Sequence, residues 1–412
     1  MTTSGLDSRL LALLGTLFFV EAGLYSSITP LLPHYVRSLH LSQGALGPLA
    51  GAYAAGLIAG AACAIGVGRR IGVRATLCLG LWILAGSSLA FGFASRIVLL
   101  DAMRFIAGIG AGFIWAAGIA WIVAVTPVER RGASIGAALG AGVAGTLLGP
   151  AIGVLAVGIG IDTTFAGVAA IVALLALATA RFSLAAPGRS REAPLALRTL
   201  CDFRVCAASW LLCLLGLIVG AINVLAPLRL AHLGAGTAGV GAVFLIAAAV
   251  GGAVAPLTGR IVDRFGTRGP IRWGLVVAAI VLSLTRLAGS VVALSVLTIL
   301  AVGIVVAGGL SAGGTLLTRS VEGVGGSVVA ASAVVMLCVS IGEALGPLSA
   351  MALANVSSYG APLTALAGLS VATLVLFAIR TGGGRAGDEI PGTPTHGAQA
   401  PGISATPNGR GE

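Results

Sequence analysis

The chain has 412 residues, of which 58% are hydrophobic and only 9% are charged. A soluble globular protein carries about 25% charged residues, so this composition excludes an ordinary soluble enzyme and a disordered protein. The formal net charge of +11 leaves two interpretations open, a nucleic-acid-binding surface or a membrane protein with arginine-rich cytoplasmic loops.

Twelve apolar runs of roughly 20 residues follow one another, and a helix of that length crosses a bilayer. Charged residues, prolines and glycines separate the runs, which lack the alternation of a membrane β-barrel. The runs cover residues 10–36, 44–66, 74–94, 98–124, 132–157, 162–181, 205–228, 238–259, 271–289, 291–317, 327–352 and 361–380. We therefore predict an all-α integral membrane protein with twelve transmembrane helices.

Two segments differ from these runs in composition. Residues 182–204 hold four arginines and form a predicted cytoplasmic linker between six-helix halves at 1–181 and 205–380. Residues 381–412 are rich in Gly, Pro and Thr, so we predict a disordered cytoplasmic tail. The first run holds Glu21 and lacks a convincing cleavage site, so we expect a retained helix rather than a signal peptide.

The arginines decide between the two interpretations of the net charge. With the N-terminus placed inside, nineteen lie on the cytoplasmic side and four on the outer side. This bias predicts that both termini are cytoplasmic, and it leaves no soluble domain to bind nucleic acid. Cysteines and histidines show no metal-ligand spacing, so we expect no metal and no cofactor.

The chain contains an internal repeat. Gly145-Thr-Leu-Leu-Gly149-Pro150 matches Gly342-Glu-Ala-Leu-Gly346-Pro347 at an offset of 197 residues. The segment Arg70-Ile-Gly72-Val-Arg74 matches Arg264-Phe-Gly266-Thr-Arg268 at an offset of 194. Repeats of this kind place a substrate site between two halves, near the middle of the membrane.

Three segments together resemble the major facilitator superfamily. The loop after the eighth run resembles its signature loop and reads Gly259-Arg-Ile-Val-Asp263-Arg264-Phe-Gly266-Thr-Arg268. The fourth run resembles its helix 4 motif and reads Arg104-Phe-Ile-Ala-Gly108-Ile-Gly110-Ala-Gly112. The fifth run matches its antiporter motif at Gly136, Gly145, Gly149-Pro150 and Gly153, with Val154 where the motif usually ends in Gly.

The resemblance implies a monomeric transporter in the bacterial plasma membrane that works by rocking of two pseudo-symmetric halves. Its drug/proton antiporter branch is the best match and implies proton-coupled export of small amphipathic or cationic organic compounds. The alternatives are a nutrient or metabolite symporter or facilitator, and a non-transporting membrane sensor. An integral membrane enzyme is a third alternative, which is disfavoured because the sequence lacks a cluster of residues that could form a catalytic site. The gating and packing positions are Arg69, Arg70, Gly72, Asp263, Arg264, Gly266, Arg268, Gly145, Gly149, Pro150, Gly346 and Pro347.

The first-half signature loop departs from the family pattern. The family has an acidic residue before the loop arginine, where this chain has Arg69. In the family that acid helps to latch the cytoplasmic side. We hypothesise that Arg69 instead pairs with Glu129 or Glu322, because both acids lie on the same side of the membrane as Arg69.

Charges inside a bilayer are expensive, so Glu21, Arg104 and Glu343 are candidate site residues. A rise of about 1.5 Å per residue places Glu21 and Arg104 within about 5 Å in depth. Glu21 is the expected site for a proton or a cationic substrate, and the alternative is a buried acid that pairs with Arg104 for folding alone. Arg104 is expected to take part in proton coupling, or else to orient its helix through hydrogen bonds to backbone, with Asp101 as a possible partner.

Three uncharged residues complete the candidate site. Phe18 and Tyr25 share a helix face with Glu21 and could stack on an organic cation or serve only in packing. Asn223 could hydrogen-bond a substrate, and it corresponds to Ser26 in the repeat. Glu343 is expected to be a second protonation site or an outer-gate residue, unless water hydrates it near the surface.

Overall fold

A computed structural model describes residues 3–127, 130–181 and 202–382 of the chain. Every regular element in these ranges is helical, and twelve helices are long and apolar enough to cross a membrane. The predicted fold class is thereby confirmed. We number the spans α1 to α12: Thr3–Ser26, Leu46–Ile71, Val73–Gly92, Ile97–Val125, Arg131–Ile159, Ile161–Arg181, Phe203–His232, Thr237–Phe265, Arg268–Leu287, Val291–Gly323, Val328–Val356 and Gly360–Gly382.

The first predicted run, 10–36, is broken into pieces. Helix α1 ends at Ser26, a 3-10 turn covers Thr29–Leu31, and a short helix follows at Leu32–Ser38. Proline has no N–H and cannot donate to the carbonyl one turn earlier. Pro30 therefore ends α1 before the far side of the span, which leaves carbonyls at its C-terminus without helical partners.

Helix α7 begins at Phe203, two residues before the predicted start of the seventh run at residue 205. The Asp202 side chain accepts hydrogen bonds from the backbone N–H groups of Arg204 and Val205, at 2.8 and 3.4 Å. Such an N-cap satisfies donors that the first helical turn leaves free. The rest of the predicted linker and the predicted tail beyond Gly382 lie outside the described residues.

The helices pack as two groups of six. In the first, α1 packs on α5, α4 lies against α2 and α3, and α3 lies against α6. In the second, α7 packs on α11, α8 on α10, and α9 on α12. The groups meet along two seams, α2 with α11 and α5 with α8. We call the groups the first and second halves.

Glycines set the closest helix contacts in both halves. A Cβ at Gly145 would collide with the carbonyl of Phe19 on α1, and a Cβ at Gly342 would collide with the carbonyl of Cys213 on α7. Small residues let membrane helices approach closely, where packing rather than hydrophobicity holds them together. Gly145 and Gly342 are separated by the repeat offset, so α1–α5 and α7–α11 are built alike.

The halves touch at one end of the bundle. We call the end where α1 begins and α12 ends the termini end, and the opposite end the far end. At the far end, Gly47 packs on Pro347 and Met351 across the α2–α11 seam, and Gly44 contacts Asn355. These contacts close the far end.

The termini end is open along α2 and α5. A Cβ added at Gly66 on α2, or at Gly136 or Gly140 on α5, would have nothing within 4 Å. Ile65 on α2 is 62% exposed. We therefore interpret the described molecule as closed at the far end and open at the termini end.

Candidate substrate and proton site

Glu21 lies on α1 with both carboxylate oxygens hydrogen-bonded. Oε1 accepts from the Tyr53 hydroxyl of α2 at 2.7 Å, and Oε2 accepts from Nε1 of Trp115 on α4 at 2.6 Å. The side chain is only 2% exposed. An indole N–H can only donate, so Trp115 holds an acceptor oxygen at this point. All the partners of Glu21 belong to the first half.

An aromatic wall borders the Glu21 carboxylate. The rings of Phe18 and Trp115 stack with centroids 4.2 Å apart and planes 15° apart. Gly118 allows this arrangement, because a Cβ there would meet the Phe18 ring at 2.5 Å. The rings of Tyr25 and Tyr53 lie 5.4 Å apart on the other side. Aromatic faces attract cations, so the wall suits an organic cation beside a carboxylate.

Arg104 does not form an ion pair with Glu21 within the described residues. Its guanidinium instead donates to the backbone carbonyls of Leu24 and Tyr25, at 3.3 and 3.1 Å. It also lies over the Tyr53 ring, 4.7 Å from the centroid. Arg104, on α4, therefore caps the C-terminus of α1. This contact corresponds to the alternative in which Arg104 orients its helix through hydrogen bonds to backbone. Its Nε has no hydrogen-bond partner and is buried.

Of the two alternatives for Asp101, a partner of Arg104 or a residue that only marks the helix end, the described residues do not show the first. Asp101 lies one turn earlier on α4, and its buried Oδ1 has no hydrogen-bond partner in the described part of the chain. The guanidinium points instead to the end of α1, where carbonyls lack helical donors.

Glu343 reaches the same region from the second half. Its carboxyl meets the Tyr25 hydroxyl, and it lies close enough to Glu21 for their charges to interact. Its backbone packs against Gly216 and Gly220 of α7. Glu343 is only partly exposed, so it is not a surface residue in open water.

Asn223 lines a small cavity between the halves. The cavity has a volume of about 10 Å³, room for about one water molecule. Arg104 and Tyr25 line it from the first half, and Asn223 and Pro347 line it from the second. The structure thus brings Glu21, Phe18, Tyr25, Arg104, Glu343 and Asn223 into one connected region.

The gating positions lie apart from this region, at the termini end. Gly72 and Gly266 follow α2 and α8 with φ of +86° and +79°, which only glycine adopts without strain. Arg69 and Arg70 are exposed in the last turn of α2, and Arg268 begins α9. Arg264 follows Asp263 and lies over the Phe265 ring at 5.4 Å.

The structure describes only one of the two hypothesised partners of Arg69. Arg69 and Glu322 are both exposed, and they form no ion pair in this arrangement of the described residues. Glu129 lies outside the described residues.

The packing positions lie in helix crossings. Gly149 meets Gly23 and Ser26, and Gly346 meets the Leu217 carbonyl. Pro150 lies inside α5 and Pro347 inside α11.

Tyr53 and Trp115 were not predicted from the sequence as site residues. Each carries a donor that needs a partner in a membrane interior, where water does not supply one. That requirement, applied to every Tyr and Trp in the spans, is a signal that could have found them.

Solved transporters share this fold. A bacterial homologue of the human lysosomal transporter Spinster, inward-facing and occupied, has a TM-score of 0.72 at 17% identity, covering 90% of this chain and 95% of that one. The nucleoside transporter NupG has a TM-score of 0.70 at 14% identity, covering 90% and 99%. The Major Facilitator Superfamily sequence profile matches residues 14–215. The matched residues make up just under half of the chain, so over that part the chain is similar to this superfamily.

Two curated relatives come from Bacillus subtilis. Multidrug resistance protein 2 is 30% identical over 172 residues, which is 42% of this chain and 42% of the relative. Multidrug resistance protein 1 is 28% identical over 141 residues, 34% of this chain and 36% of the relative. The matched stretches span less than half of either relative. This chain is thus a multi-pass membrane protein that is similar, over part of its length, to two proteins named for multidrug resistance.

Proposed function

We propose that the protein is a proton-coupled exporter of small amphipathic or cationic organic compounds, with both termini in the cytoplasm of a bacterial cell. The observation that carries the proposal is the environment of Glu21. Its carboxylate is buried, hydrogen-bonded at both oxygens and without an ion pair in the described residues. The similarity to two multidrug resistance proteins supports the substrate class.

The chemistry follows from the cost of an unpaired buried charge. A carboxylate removed from water is stabilised either by a proton or by a cation beside it. A proton and a cationic substrate therefore compete for Glu21. Arg104 does not satisfy that need directly, because its N–H groups hold the Leu24 and Tyr25 carbonyls. Competition at one site, with access from alternate sides, produces exchange.

The aromatic wall explains a preference for flat or lipophilic cations. The Phe18 and Trp115 rings lie beside the carboxylate, and Tyr25 and Tyr53 lie on its other side. A cation over such a ring gains about 0.5–2 kcal/mol. The arginine bias of the loops supports a cytoplasmic termini end, and with that orientation the open end faces the compartment from which an exporter takes its substrate.

The test uses inverted membrane vesicles with an imposed proton gradient and tetraphenylphosphonium as the probe. We expect the probe to dissipate the gradient and to accumulate in the vesicles. Glu21→Gln removes the charge and turns an amide toward Trp115, so we expect coupled uptake to fall at least about tenfold. Asp162→Asn is the control, since Asp162 is an exposed acid at the far end and has no role in the proposed site or latch. Proton-independent uptake in the parent protein, or full activity in Glu21→Gln, would overturn the proposal.

A further inference from the structure

The two buried carboxylates differ in what surrounds them. Glu21 is held by Tyr53 and Trp115, which belong to its own half. Glu343 faces Tyr25 and Glu21, which belong to the opposite half. Rocking of the halves therefore keeps the two hydrogen-bond donors of Glu21 in place but separates Glu343 from Tyr25 and Glu21.

Contacts close to Glu343 form part of the far-end closure. Ala344, the next residue, packs its carbonyl on Gly51 of α2, and Pro347 packs on Gly47 one turn further along. Opening the far end separates α11 from α2 and so draws Glu343 away from Tyr25. Closing the far end returns Glu343 to its contact with Tyr25.

The charges that face Glu343 oppose its ionised form in the closed arrangement. From α1 it meets the negative charge of Glu21, which opposes the ionised form, and the Tyr25 hydroxyl, whose hydrogen bond favours it. Arg104, on α4, directs its N–H groups to backbone carbonyls and not to Glu343. On α7, the uncharged Gly216 and Gly220 pack on the Glu343 backbone. Two carboxylates in a low-dielectric site repel each other, so a proton on one of them relieves the repulsion.

The Tyr25 hydroxyl suits both states of Glu343. A phenol can donate to a carboxylate or accept from a carboxylic acid. Its position is fixed, because Arg104 holds the Tyr25 carbonyl and the Tyr25 ring packs on Tyr53. The hydroxyl therefore stays in place whether or not Glu343 carries a proton.

We propose that Glu343 is a second proton-binding site, and that proton uptake there from the far side allows the far end to close. Glu21 then serves chiefly to bind the substrate cation. The proton binds the Glu343 carboxylate while the far end is open and leaves through the open termini end. This inference rests on the proposed function for its role in transport, but the proton-controlled closure is measurable by itself.

A group whose environment changes between two conformations makes their equilibrium depend on pH. Because closure disfavours the charged form of Glu343, acid favours the far-end-closed state and base favours the far-end-open state. Near its midpoint, one such group changes the ratio of the two states by up to about tenfold per pH unit. Glu21 keeps its partners in both states and contributes less.

The experiment measures the distance between spin labels at the far end by electron paramagnetic resonance. Labels on cysteines replacing Ser42 and Val356, both exposed and next to the Gly44–Asn355 contact, report closure. The protein is the full chain in lipid nanodiscs, with its native cysteines replaced, between pH 5 and 8. We expect the short-distance fraction to rise with acid. In Glu343→Gln we expect it to be high and independent of pH.

Three further variants serve as controls for the effect of Glu343→Gln. Asp162→Asn removes an exposed far-end acid and should leave the pH dependence intact. Glu343→Asp retains a titratable group and should retain pH dependence, which excludes a folding defect as the cause. Glu21→Gln should keep most of the dependence. Unchanged pH dependence in Glu343→Gln would overturn the inference, whereas loss of proton-driven uptake with an intact pH-dependent closure would overturn only the proposed function.

Discussion

The two halves share a scaffold and differ in chemistry. Gly145 and Gly342 occupy equivalent helix crossings, each against a carbonyl of the neighbouring helix. The charged residues have no such equivalence. At the repeat offset, Glu21 corresponds to Ile218, which is fully buried, and Arg104 corresponds to Ala301, which lies in the π-helical stretch of α10.

The second half contributes its charge at a different place. Glu343 corresponds to Thr146, whose hydroxyl only returns to the Gly142 carbonyl of its own helix. The first half thus holds the carboxylate that the aromatic rings surround, while the second half supplies a carboxylate that approaches only when the far end closes. The repeat provides two similar halves that can rock against each other. In the proposed mechanism, the charges that lack a counterpart in the other half couple this rocking to the binding of protons and substrate.

The shared scaffold predicts the largest effect. Gly145→Ala and Gly342→Ala each drive a Cβ into a backbone carbonyl that cannot move without shifting a helix. We expect each to destabilise the protein by about 1–3 kcal/mol, and by similar amounts, since the crossings are alike. Thermal unfolding of the purified protein in detergent measures the effect.

Gly140→Ala is the control on α5, because a Cβ there would have nothing within 4 Å. Alanine favours a helix over glycine by about 1 kcal/mol, so stability should hold or rise. A large loss in Gly145→Ala with none in Gly342→Ala would show that the halves are not equivalent scaffolds.

The fold was predictable because the membrane permits few solutions. A backbone in lipid must satisfy its hydrogen bonds internally, so an apolar run of sufficient length becomes a helix. The interruptions of α1 and α10 were not predicted. Pro30 carries a local signal for the first, whereas nothing in the apolar residues Leu300–Val306 distinguishes a π-helix from an α-helix.

Residues of the site could be predicted from the sequence, but the contacts between their side chains could not. Depth along a helix follows from counting residues, and it placed Glu21 and Arg104 at similar levels. Lateral contacts depend on packing between distant segments. Arg104 caps the end of α1 because Pro30 ends that helix early, and Tyr53 with Trp115 then supplies the donors to Glu21. Each of these hydrogen bonds follows from local chemistry, but which side chains meet is decided only when the helices have packed into the bundle.

Tyr53→Phe is expected to have an intermediate effect on the first-half site. It removes one of the two hydrogen bonds to Glu21 while keeping the ring beneath Arg104 and beside Tyr25. A hydrogen bond to a charged group contributes about 1.5–3 kcal/mol, and the ionised carboxylate loses this support relative to the protonated acid. A proton should therefore exclude the substrate cation more effectively.

We expect binding of tetraphenylphosphonium, measured by equilibrium dialysis, to weaken by about tenfold or more at pH 6 and by less at pH 8. Tyr35→Phe is the matched control, because the buried Tyr35 hydroxyl has no hydrogen-bond partner in the described residues. Equal weakening at both pH values would indicate lost packing rather than a changed competition with protons.

The signature loops of the two halves predict the smallest effect. The second loop has the acid Asp263, and the first has Arg69 at the comparable place. Arg69 and Glu322 are apart and exposed while the termini end is open. Their pairing would stabilise only the state in which the termini end closes and the far end opens. Exposed pairs are weak, so Arg69→Ala should raise the far-end-closed fraction by at most about fivefold.

The spin labels at positions 42 and 356 measure this shift. Arg181→Ala removes another exposed termini-end arginine and should leave the fraction unchanged. If Arg69 pairs with Glu322, then Glu322→Gln shifts the fraction in the same direction and the double variant adds nothing further. Additive shifts would exclude Glu322 as the partner and leave Glu129 to be tested by the same cycle. No shift in Arg69→Ala would mean that the first loop has lost its latch, and that closure of the termini end depends on the second loop alone.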